Sequence, residues 1–355
     1  MAAWSVVLFT ANDWNYGRHV MKKGKASIEF RKKPRILGAS SVVGPKEGEG
    51  PLGKLFDQVE QDDKFGKKTW EEAESELQKR AAELVIQKVA VAKPSIRYLF
   101  AGDLLGQDIA TSFGLLDMNI PLFGLYGACS TMGESLSLGS IVMSAGYADY
   151  VMCLTSSHFA SAEKEFRYPL EYGNQRSASA TWTVTGSGAV ILGQEGGFAQ
   201  IAGITTGKII DYGVRDSQNM GAAMAPAAAD TIAQNLKDFE IPPSEYDKII
   251  TGDLGKVGQR ALIDLLKNQG YDIEKQHMDC GLEIYNMEAQ NAEAGGSGCG
   301  CAAVTLCSYV LRMIQEKTWK KVLFVPTGAL LSKTSFNEGQ TIPGIAHAVV
   351  IEQVE

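Results

Sequence analysis

Cys129 is the residue of this sequence with the chemistry of a nucleophile. It lies in the turn Gly127-Ala-Cys-Ser130, directly before a run of small residues that predicts a buried helix through Ala145. Unpaired backbone N–H groups and the helix dipole at a helix start lower the pKa of a thiol and favour the thiolate. A cysteine in such a turn is equally often a small buried hydrophobe. The pattern therefore predicts a reactive thiol or a thiol that only lines a pocket.

The remaining cysteines do not form a recognisable metal or disulfide framework. Six cysteines occur, at positions 129, 153, 280, 299, 301 and 307. The Cys299-Gly-Cys301 pair is too closely spaced for a Cys-x-x-Cys zinc knuckle, and no second pair with histidine completes a site. We therefore expect reduced thiols in a cytoplasm-like compartment, and no structural metal.

Two stretches about 150 residues apart are alike. In each, a short apolar strand runs into Gly-Asp, and a glycine-rich turn, a helix and two further strands follow in the same order. The matched segments are 98–105 and 248–254, the turns 127–130 and 295–302, and the strand pairs 150–155 with 186–192 and 321–326 with 346–351. This pattern predicts an internally duplicated α/β fold.

The elements around these repeats complete the predicted architecture. Apolar residues at helical spacing predict helices over residues 70–91 and 227–239. Strands that alternate with helices predict a mainly parallel sheet covered on both faces, and two such halves make a five-layered duplicate. We assign residues 21–200 to the first half, 201–355 to the second, and interpret residues 1–20 as an over-extended start or a cloning remnant.

Charge argues against a nucleic-acid partner, and hydropathy argues against a membrane-spanning helix. The formal net charge is -7 and the 34 basic residues are dispersed, which argues against a nucleic-acid surface. One basic run covers residues 21–25 and 31–33; it is a solvated tail or a contact with an anionic membrane surface. No apolar run reaches the roughly 18 residues that a membrane-spanning helix requires, and no signal peptide is evident.

The turns Gly127-Ala-Cys-Ser130 and Gly186-Ser-Gly-Ala189, set in a duplicated half, resemble the thiolase and ketoacyl synthase superfamily. Within it the chain resembles the stage V sporulation protein AD family, from about residue 34 to the C-terminus. The matching segments are 44–53, 101–105, Thr155-Ser-Ser-His158, Glu165-Phe-Arg-Tyr-Pro169, 223–230, and Thr341-Ile-Pro343 with Ala346-His347. This resemblance implies the duplicated αβαβα layers of the thiolase fold.

The resemblance also implies a function. Members of this family take part in loading dipicolinic acid, as its calcium chelate, into the developing spore. They are the ligand-binding, soluble members of a larger membrane assembly, which implies a peripheral location at the inner membrane of the forespore or spore. Thiolase-fold proteins commonly pair through the sheet edge of the first half, so a homodimer is expected.

In the condensing enzymes of this superfamily, His and Asn, or two His, of the second half assist the cysteine. The resemblance places Asp253 and Ser297 at those positions. An ionised Asp cannot donate a hydrogen bond to a developing oxyanion, and loss of one such donor typically slows a reaction about 10²–10³-fold. We therefore expect no enzyme activity. Neither glycine cluster fits a nucleotide fingerprint, so no cofactor is expected.

What remains is a helix start that favours a carboxylate ligand. The candidate ligand-binding residues are Cys129, His158, His347, Arg167, Asp103, Asp253 and Ser297. Each histidine is a ligand contact or a structural residue with equal weight, and Arg167 binds a carboxylate or forms a surface salt bridge. Asp103 and Asp253 either hold calcium that arrives with the ligand or cap their own turns.

Two other functions remain open. The first is residual acyl transfer or thioester hydrolysis by Cys129, with His158 or His347 as the base. The second is a purely structural role in the assembly.

Overall fold

The computed structural model of the protein describes residues 20–166, 171 and 175–354. Seventeen strands are present in this part of the chain: β1 (Val20–Lys23), β2 (Ser27–Phe30), β3 (Arg35–Val43), β4 (Gln58–Val59), β5 (Tyr98–Gly102), β6 (Leu122–Gly124), β7 (Tyr150–Ser157), β8 (Trp182–Thr183), β9 (Gly186–Gly193), β10 (Ala199–Thr205), β11 (Lys248–Thr251), β12 (His277–Asp279), β13 (Gly296–Ser297), β14 (Lys321–Val325), β15 (Thr327–Ala329), β16 (Gly344–Ala346) and β17 (Ala348–Gln353).

Eleven α-helices connect these strands within the same described ranges: α1 (Pro45–Gly48), α2 (Trp70–Val89), α3 (Ile109–Gly114), α4 (Thr131–Ser144), α5 (Phe159–Phe166), α6 (Met220–Phe239), α7 (Gly255–Asn268), α8 (Cys280–Glu283), α9 (Cys299–Thr305), α10 (Leu311–Gln315) and α11 (Lys333–Asn337). A π-helical turn, Leu306–Val310, joins α9 to α10.

The strand order confirms the internal duplication. In the first half the order is β3-β9-β7-β5-β6, and in the second half it is β10-β17-β14-β11-β12. The two sets join through a short antiparallel pairing of β3 with β10, which aligns Ile36 with Ala199 and Arg35 with Gln200. The predicted division between residues 200 and 201 falls inside β10.

The prediction of a mainly parallel sheet is wrong, because the sheet is mixed. β5 pairs in parallel with β6 and β7, and β11 pairs in parallel with β12 and β14. The closing strand of each half, β9 or β17, is antiparallel to both of its neighbours. An apolar pattern identifies a buried strand but not its direction, which depends on the path of the preceding connection.

Three apolar cores separate the layers and confirm the five-layered fold. One core lies between the first-half sheet and α2, with Leu77, Ala81 and Val85 of that helix fully buried. A second core lies between the second-half sheet and the pair α6 and α7. The largest core surrounds the central helices α4 and α9, which lie between the two sets of strands. Burial of this apolar surface is the main stabilising term for the fold.

Two helices differ in their start signals. α2 begins at a capping box, since the Thr69 side chain accepts from the Glu72 N–H and Glu72 accepts from the Thr69 N–H. α6 begins at Met220, seven residues earlier than expected, so Pro226 lies inside it. A proline removes one backbone bond. Close packing compensates here, because Gly221 lies against the backbone of Gly258 in α7.

The start of the described chain is attached to the second half. β1 and β2 form a hairpin, and β2 pairs with β10 from Ser27 opposite Thr205 to Glu29 opposite Gly203. The Asp238 carboxylate near the end of α6 accepts bonds from the Lys25 and Ala26 N–H groups, both at 2.9 Å. The Ser27 hydroxyl donates to the same carboxylate at 2.9 Å. None of the helices in the described ranges is long and apolar enough to cross a bilayer.

Candidate functional site

Cys129 lies at the start of α4, as predicted, in a tight and buried turn. A short 3₁₀ turn, Ala128–Ser130, precedes the helix, and Ala128 has a φ of 48°, a strained value for a residue with a side chain. The Thr131 hydroxyl donates to the Ala128 carbonyl at 2.6 Å and accepts from the Gly127 N–H at 3.1 Å. The Cys129 residue is 7 % exposed.

The strand β15 of the second half packs closely against this turn. A Cβ at Gly328 would lie 2.3 Å from the Gly127 carbonyl oxygen and 3.3 Å from the Cys129 nitrogen. Real Cβ contacts are never this short, so only glycine allows the two backbones to approach in this way. The position of Cys129 therefore depends on contacts from both halves.

Asp253 faces Cys129 across the junction of the halves. It follows β11 and Gly252, and its Oδ1 accepts from the Thr327 hydroxyl at 2.7 Å while its Oδ2 accepts from the Gly298 N–H at 2.9 Å. The Asp253 carboxylate lies near enough to the Cys129 thiol that its charge acts on the pKa of that thiol. Cys129 of the first half and Asp253 of the second are therefore buried electrostatic neighbours.

This pairing makes the thiol a weak nucleophile. Burial, and next the charge of Asp253, raise the pKa of Cys129 well above its ordinary 9.0. Burial also raises the pKa of Asp253 from 3.8 to about 7, against the bonds from Thr327 and Gly298 that lower it. The carboxyl group is therefore ionised before the thiol, and a thiolate beside a carboxylate is unfavourable. The helix dipole does not overcome these two effects.

The free space beside Cys129 is small and lined by polar groups. A cavity of about 20 Å³ is bounded by Leu104, Cys129, Thr181, Thr183, Ser217, Gln218, Met220, Ser297 and Gly298. This volume holds about one water molecule. Ser297, which β13 positions, thus shares the cavity with Cys129, as the sequence predicted for the place of an oxyanion-binding residue.

Asp103, the first-half counterpart of Asp253, does not reach this cavity. Its Oδ1 accepts from the Leu105 N–H at 2.8 Å, and its Oδ2 accepts from the N–H and the hydroxyl of Thr111 at 2.8 and 2.6 Å. The carboxylate therefore holds its own loop and the start of α3, which is the structural alternative. Burial raises the pKa of Asp103, although the bonds from Thr111 lower it.

His347 lies close to the Cys129 turn, but its ring does not line the cavity. Its backbone N–H donates to the Ser130 hydroxyl at 3.1 Å, and its ring Nδ1 accepts from the Gly207 N–H at 3.3 Å. Burial lowers its pKa to about 4, so the ring is neutral. The backbone of His347 therefore supports the start of α4, while its ring holds another loop.

His158 and Cys129 line separate cavities. The His158 Nε2 donates to the Asp63 carbonyl at 2.7 Å, and Nδ1 accepts from the Ala160 N–H at 3.1 Å at the start of α5. Both ring nitrogens are engaged, and burial lowers the pKa of the ring. Arg167, the remaining candidate, lies outside the described residues.

Sequence reasoning missed several members of the site. Thr327 orients Asp253, and the Gly298 N–H donates to the same carboxylate. Thr327 stands just after the carboxyl end of β14, where polar side chains of α/β proteins often serve a site. Cys299 lies near Cys129 in a small apolar cluster and donates to the Ser156 carbonyl at 2.8 Å. Its position matches that of Cys129 in the repeat.

The described residues contain no cluster of three or more His, Cys, Asp or Glu side chains that could hold a metal ion. All six cysteines are buried and reduced.

Comparison with known proteins assigns the sequence to a family. A statistical model of the stage V sporulation protein AD family matches residues 24–352. The stage V sporulation protein AD of Bacillus subtilis (strain 168) is 44 % identical over 330 residues, which cover 93 % of this chain and 97 % of that protein.

Solved structures confirm the thiolase-like fold. The 3-oxoacyl-[acyl-carrier-protein] synthase III of Aquifex aeolicus VF5 has a TM-score of 0.55 at 12 % identity, covering 90 % of this chain and 99 % of the other. The human mitochondrial 3-ketoacyl-CoA thiolase, solved with CoA, has a TM-score of 0.56 at 13 % identity, covering 91 % and 98 %. At such low identity these likenesses concern the fold alone.

Proposed function

We propose, from the premise that this chain belongs to the stage V sporulation protein AD family, that it binds dipicolinic acid for uptake into the developing spore and catalyses no acyl transfer. The observation that carries the proposal is the pair of Cys129 with Asp253. In a condensing enzyme the cysteine must become a thiolate and its partner must donate to an oxyanion. Here both oxygens of the partner already accept hydrogen bonds, and its charge helps to raise the pKa of the thiol.

Neither His158 nor His347 takes over the role of a base. Neither ring proposed for it lines the cavity that contains Cys129. His347 has a pKa of about 4 and a ring nitrogen that already accepts a bond, and His158 lies in another cavity. Residual acyl transfer therefore lacks a histidine base among the described residues that line this cavity.

The cavity beside Cys129 has the groups that a carboxylate ligand requires. Hydroxyl and amide donors of Thr181, Thr183, Ser217, Gln218 and Ser297 surround it. Asp253 does not line this cavity, and both of its oxygens accept bonds from Thr327 and Gly298. A ligand carboxylate would therefore meet the hydroxyl and amide donors rather than Asp253.

Ligand entry requires this cavity to widen. A free volume of about 20 Å³ is far below that of a pyridine ring with two carboxylates. One wall of the cavity is formed by Ser217 and Gln218, just before α6, and by Met220, the first residue of that helix. We propose that this wall moves outward on binding. This motion replaces water beside Cys129 with the ligand.

Calorimetric titration with dipicolinate, with and without calcium, tests the binding proposal. We expect saturable heat, and we expect Ser297→Trp, which fills the cavity, to abolish it. The matched control is Ser177→Trp on the exposed segment before β8. No heat at millimolar dipicolinate, with or without calcium, would refute the proposed function. Acyl transfer from an acyl-CoA that disappears in Cys129→Ser would instead establish the enzymatic alternative.

We also propose that two copies pair through the free edge of the first-half sheet. β6 ends the sheet, and an edge strand presents unpaired backbone groups. Phe113, Leu116, Leu122 and Phe123 in or near this edge are 41 to 71 % exposed. A second copy would cover this apolar surface. Sedimentation should give a dimer for the wild type and a monomer for Phe123→Lys, whereas a wild-type monomer would contradict the pairing.

The location at the inner membrane of the forespore or spore, and contact with other proteins of a membrane assembly, complete the proposal. Both follow from family membership rather than from a feature of the fold. Fractionation of sporulating cells, with and without high salt, tests them. Recovery only in the soluble fraction, with no cross-link to a membrane protein, would contradict this part.

A further inference from the structure

A second cavity, of about 360 Å³, shares no residue with the cavity beside Cys129. We name it the aromatic pocket; its defining residues are Lys46, Glu47, Asp63, Trp70, His158, Phe159 and Trp182. Its volume is within the range of small-molecule sites in proteins. None of the functions above accounts for it.

Glu47 gives the aromatic pocket an unused acceptor. This residue is 1 % exposed, and its Oε1 accepts from the Thr185 N–H at 3.0 Å and from the Tyr285 hydroxyl. Its Oε2 is buried and has no hydrogen-bond partner among the described residues. A buried acceptor without a partner is unfavourable, so a donor that reaches Oε2 is strongly stabilised.

The walls of the pocket favour a flat, apolar body. The rings of Phe159 and Trp182 are stacked with centroids 3.9 Å apart and an angle of 9°. The Trp70 and His158 rings, which also line the pocket, lie 5.5 Å apart. Both nitrogens of His158 are engaged, so this ring contributes surface rather than a free donor. Aromatic lining of this kind favours contact with an aromatic ligand.

Fixed charges of both signs exclude a charged ligand. The Lys46 ammonium lies 4.0 Å from the centroid of Trp182, and the Arg176 guanidinium lies 5.0 Å from it. Glu47, Asp63 and Glu171 bring carboxylates to the same space. A cation would meet Lys46, and a dianion such as dipicolinate would meet the three carboxylates. A neutral ligand avoids both penalties.

We infer that the aromatic pocket binds a small, flat, uncharged aromatic compound that directs one N–H or O–H donor at Oε2 of Glu47. This inference goes beyond the proposed function and does not depend on it. It assigns the donor requirement to Glu47 and the shape requirement to Trp70, Phe159 and Trp182.

Two probes of equal shape test the donor requirement. Indole carries a ring N–H, and benzofuran has an oxygen in its place. Burial raises the pKa of Glu47 to about 7, so calorimetry on the full chain is done at about pH 8.5, where this carboxylate is ionised. The dissociation constant should then be at least about tenfold lower for indole, because a hydrogen bond to a charged acceptor is among the stronger ones. Equal affinities, or no saturable binding of either probe, would overturn the inference.

Glu47→Gln sharpens this test. Two donors hold the Oε1 position, so the amide oxygen takes that place and the NH₂ group replaces the open acceptor with a donor. The preference for indole should then disappear. The matched control, Glu49→Gln, changes an exposed side chain two residues away and should keep the preference. A preference that persists in Glu47→Gln would contradict the role of this carboxylate.

Trp70→Ala provides a test that does not require a change at Glu47. It removes one wall of the pocket and should weaken the binding of both probes by the same factor, so that the ratio of their dissociation constants stays the same. Unchanged dissociation constants would overturn the assignment of the shape requirement to Trp70. Addition of dipicolinate should not displace indole. Displacement would show that the pocket takes the dianion, which would refute this inference but leave the proposed function intact.

Discussion

Asp103 and Asp253 occupy equivalent places in the two halves, yet they do different things. Each follows a parallel strand and a glycine, and each is completely buried. Asp103 accepts three bonds within its own half, from Leu105 and Thr111. Asp253 accepts bonds from Thr327 and Gly298 of its own half, and its charge also acts on the pKa of Cys129 in the first half. Duplication therefore supplied two identical turns, and only one of them became part of a site.

The largest expected effect separates the two carboxylates by stability. Asp103→Ala leaves two buried N–H groups and a hydroxyl without an acceptor, so it should lower the free energy of unfolding by about 3 kcal/mol or more. Asp253→Ala leaves one buried N–H and one hydroxyl without an acceptor, one donor fewer than Asp103→Ala, so it should cost about 1 kcal/mol less. Urea unfolding of both variants measures the difference. Equal losses would show that the two turns do the same work.

A smaller effect follows from the raised pKa of Asp253. Between pH 3.8 and about pH 7, the Asp253 carboxyl group keeps its proton in the folded protein but loses it in the unfolded chain. Stability from this group is therefore present at low pH and is lost as pH rises through that window, by at most about 1.4 kcal/mol per pH unit.

Asp253→Asn removes this dependence. Between about pH 5 and about pH 7 the wild type should lose stability relative to Asp253→Asn, as followed by urea unfolding at each pH. Asp279, whose pKa burial raises to about 6, is present in both proteins, so its contribution to the pH dependence cancels in the comparison. A constant difference between the two proteins across this range would contradict the raised pKa of Asp253.

The smallest expected effect concerns the reactivity of Cys129. Asp253→Asn removes the charge that disfavours a thiolate, so alkylation of Cys129 by iodoacetamide should accelerate roughly tenfold, which corresponds to about one pKa unit. The control Asp103→Asn leaves the neighbours of Cys129 in place and should not change this rate. Mass spectrometry identifies the modified cysteine. An unchanged rate in Asp253→Asn would mean that burial alone suppresses the thiol.

The repeat in the sequence predicted much of the fold, because strand and helix periodicity survives in both halves. It also predicted Cys129 at a helix start and Ser297 near it. It did not distinguish Asp103 from Asp253, since both stand in the same short motif. Which of them reaches the other half depends on how the halves pack, and no local pattern records that.

The contacts of His158 and the aromatic pocket also could not be predicted, because both depend on how distant segments of the chain pack together. His158 stands after a strand, where ligand contacts are common, but the carbonyl of Asp63 and the N–H of Ala160 already engage both ring nitrogens. The aromatic pocket was not predicted, because Glu47, Trp70 and Trp182 are far apart in the sequence. A buried glutamate next to a lysine in a glycine-rich loop resembles a solvated surface until the fold is known.

The hairpin of β1 and β2 has a consequence for the order in which the protein is made. It is synthesised before its partners, β10 and Asp238, which are about 170 to 210 residues further along the chain. Until these segments have emerged, the hairpin has no sheet on which to pair, and an isolated two-stranded hairpin is marginally stable. Its docking can therefore come only late in biosynthesis, and it links the earliest described segment to the second half of the molecule.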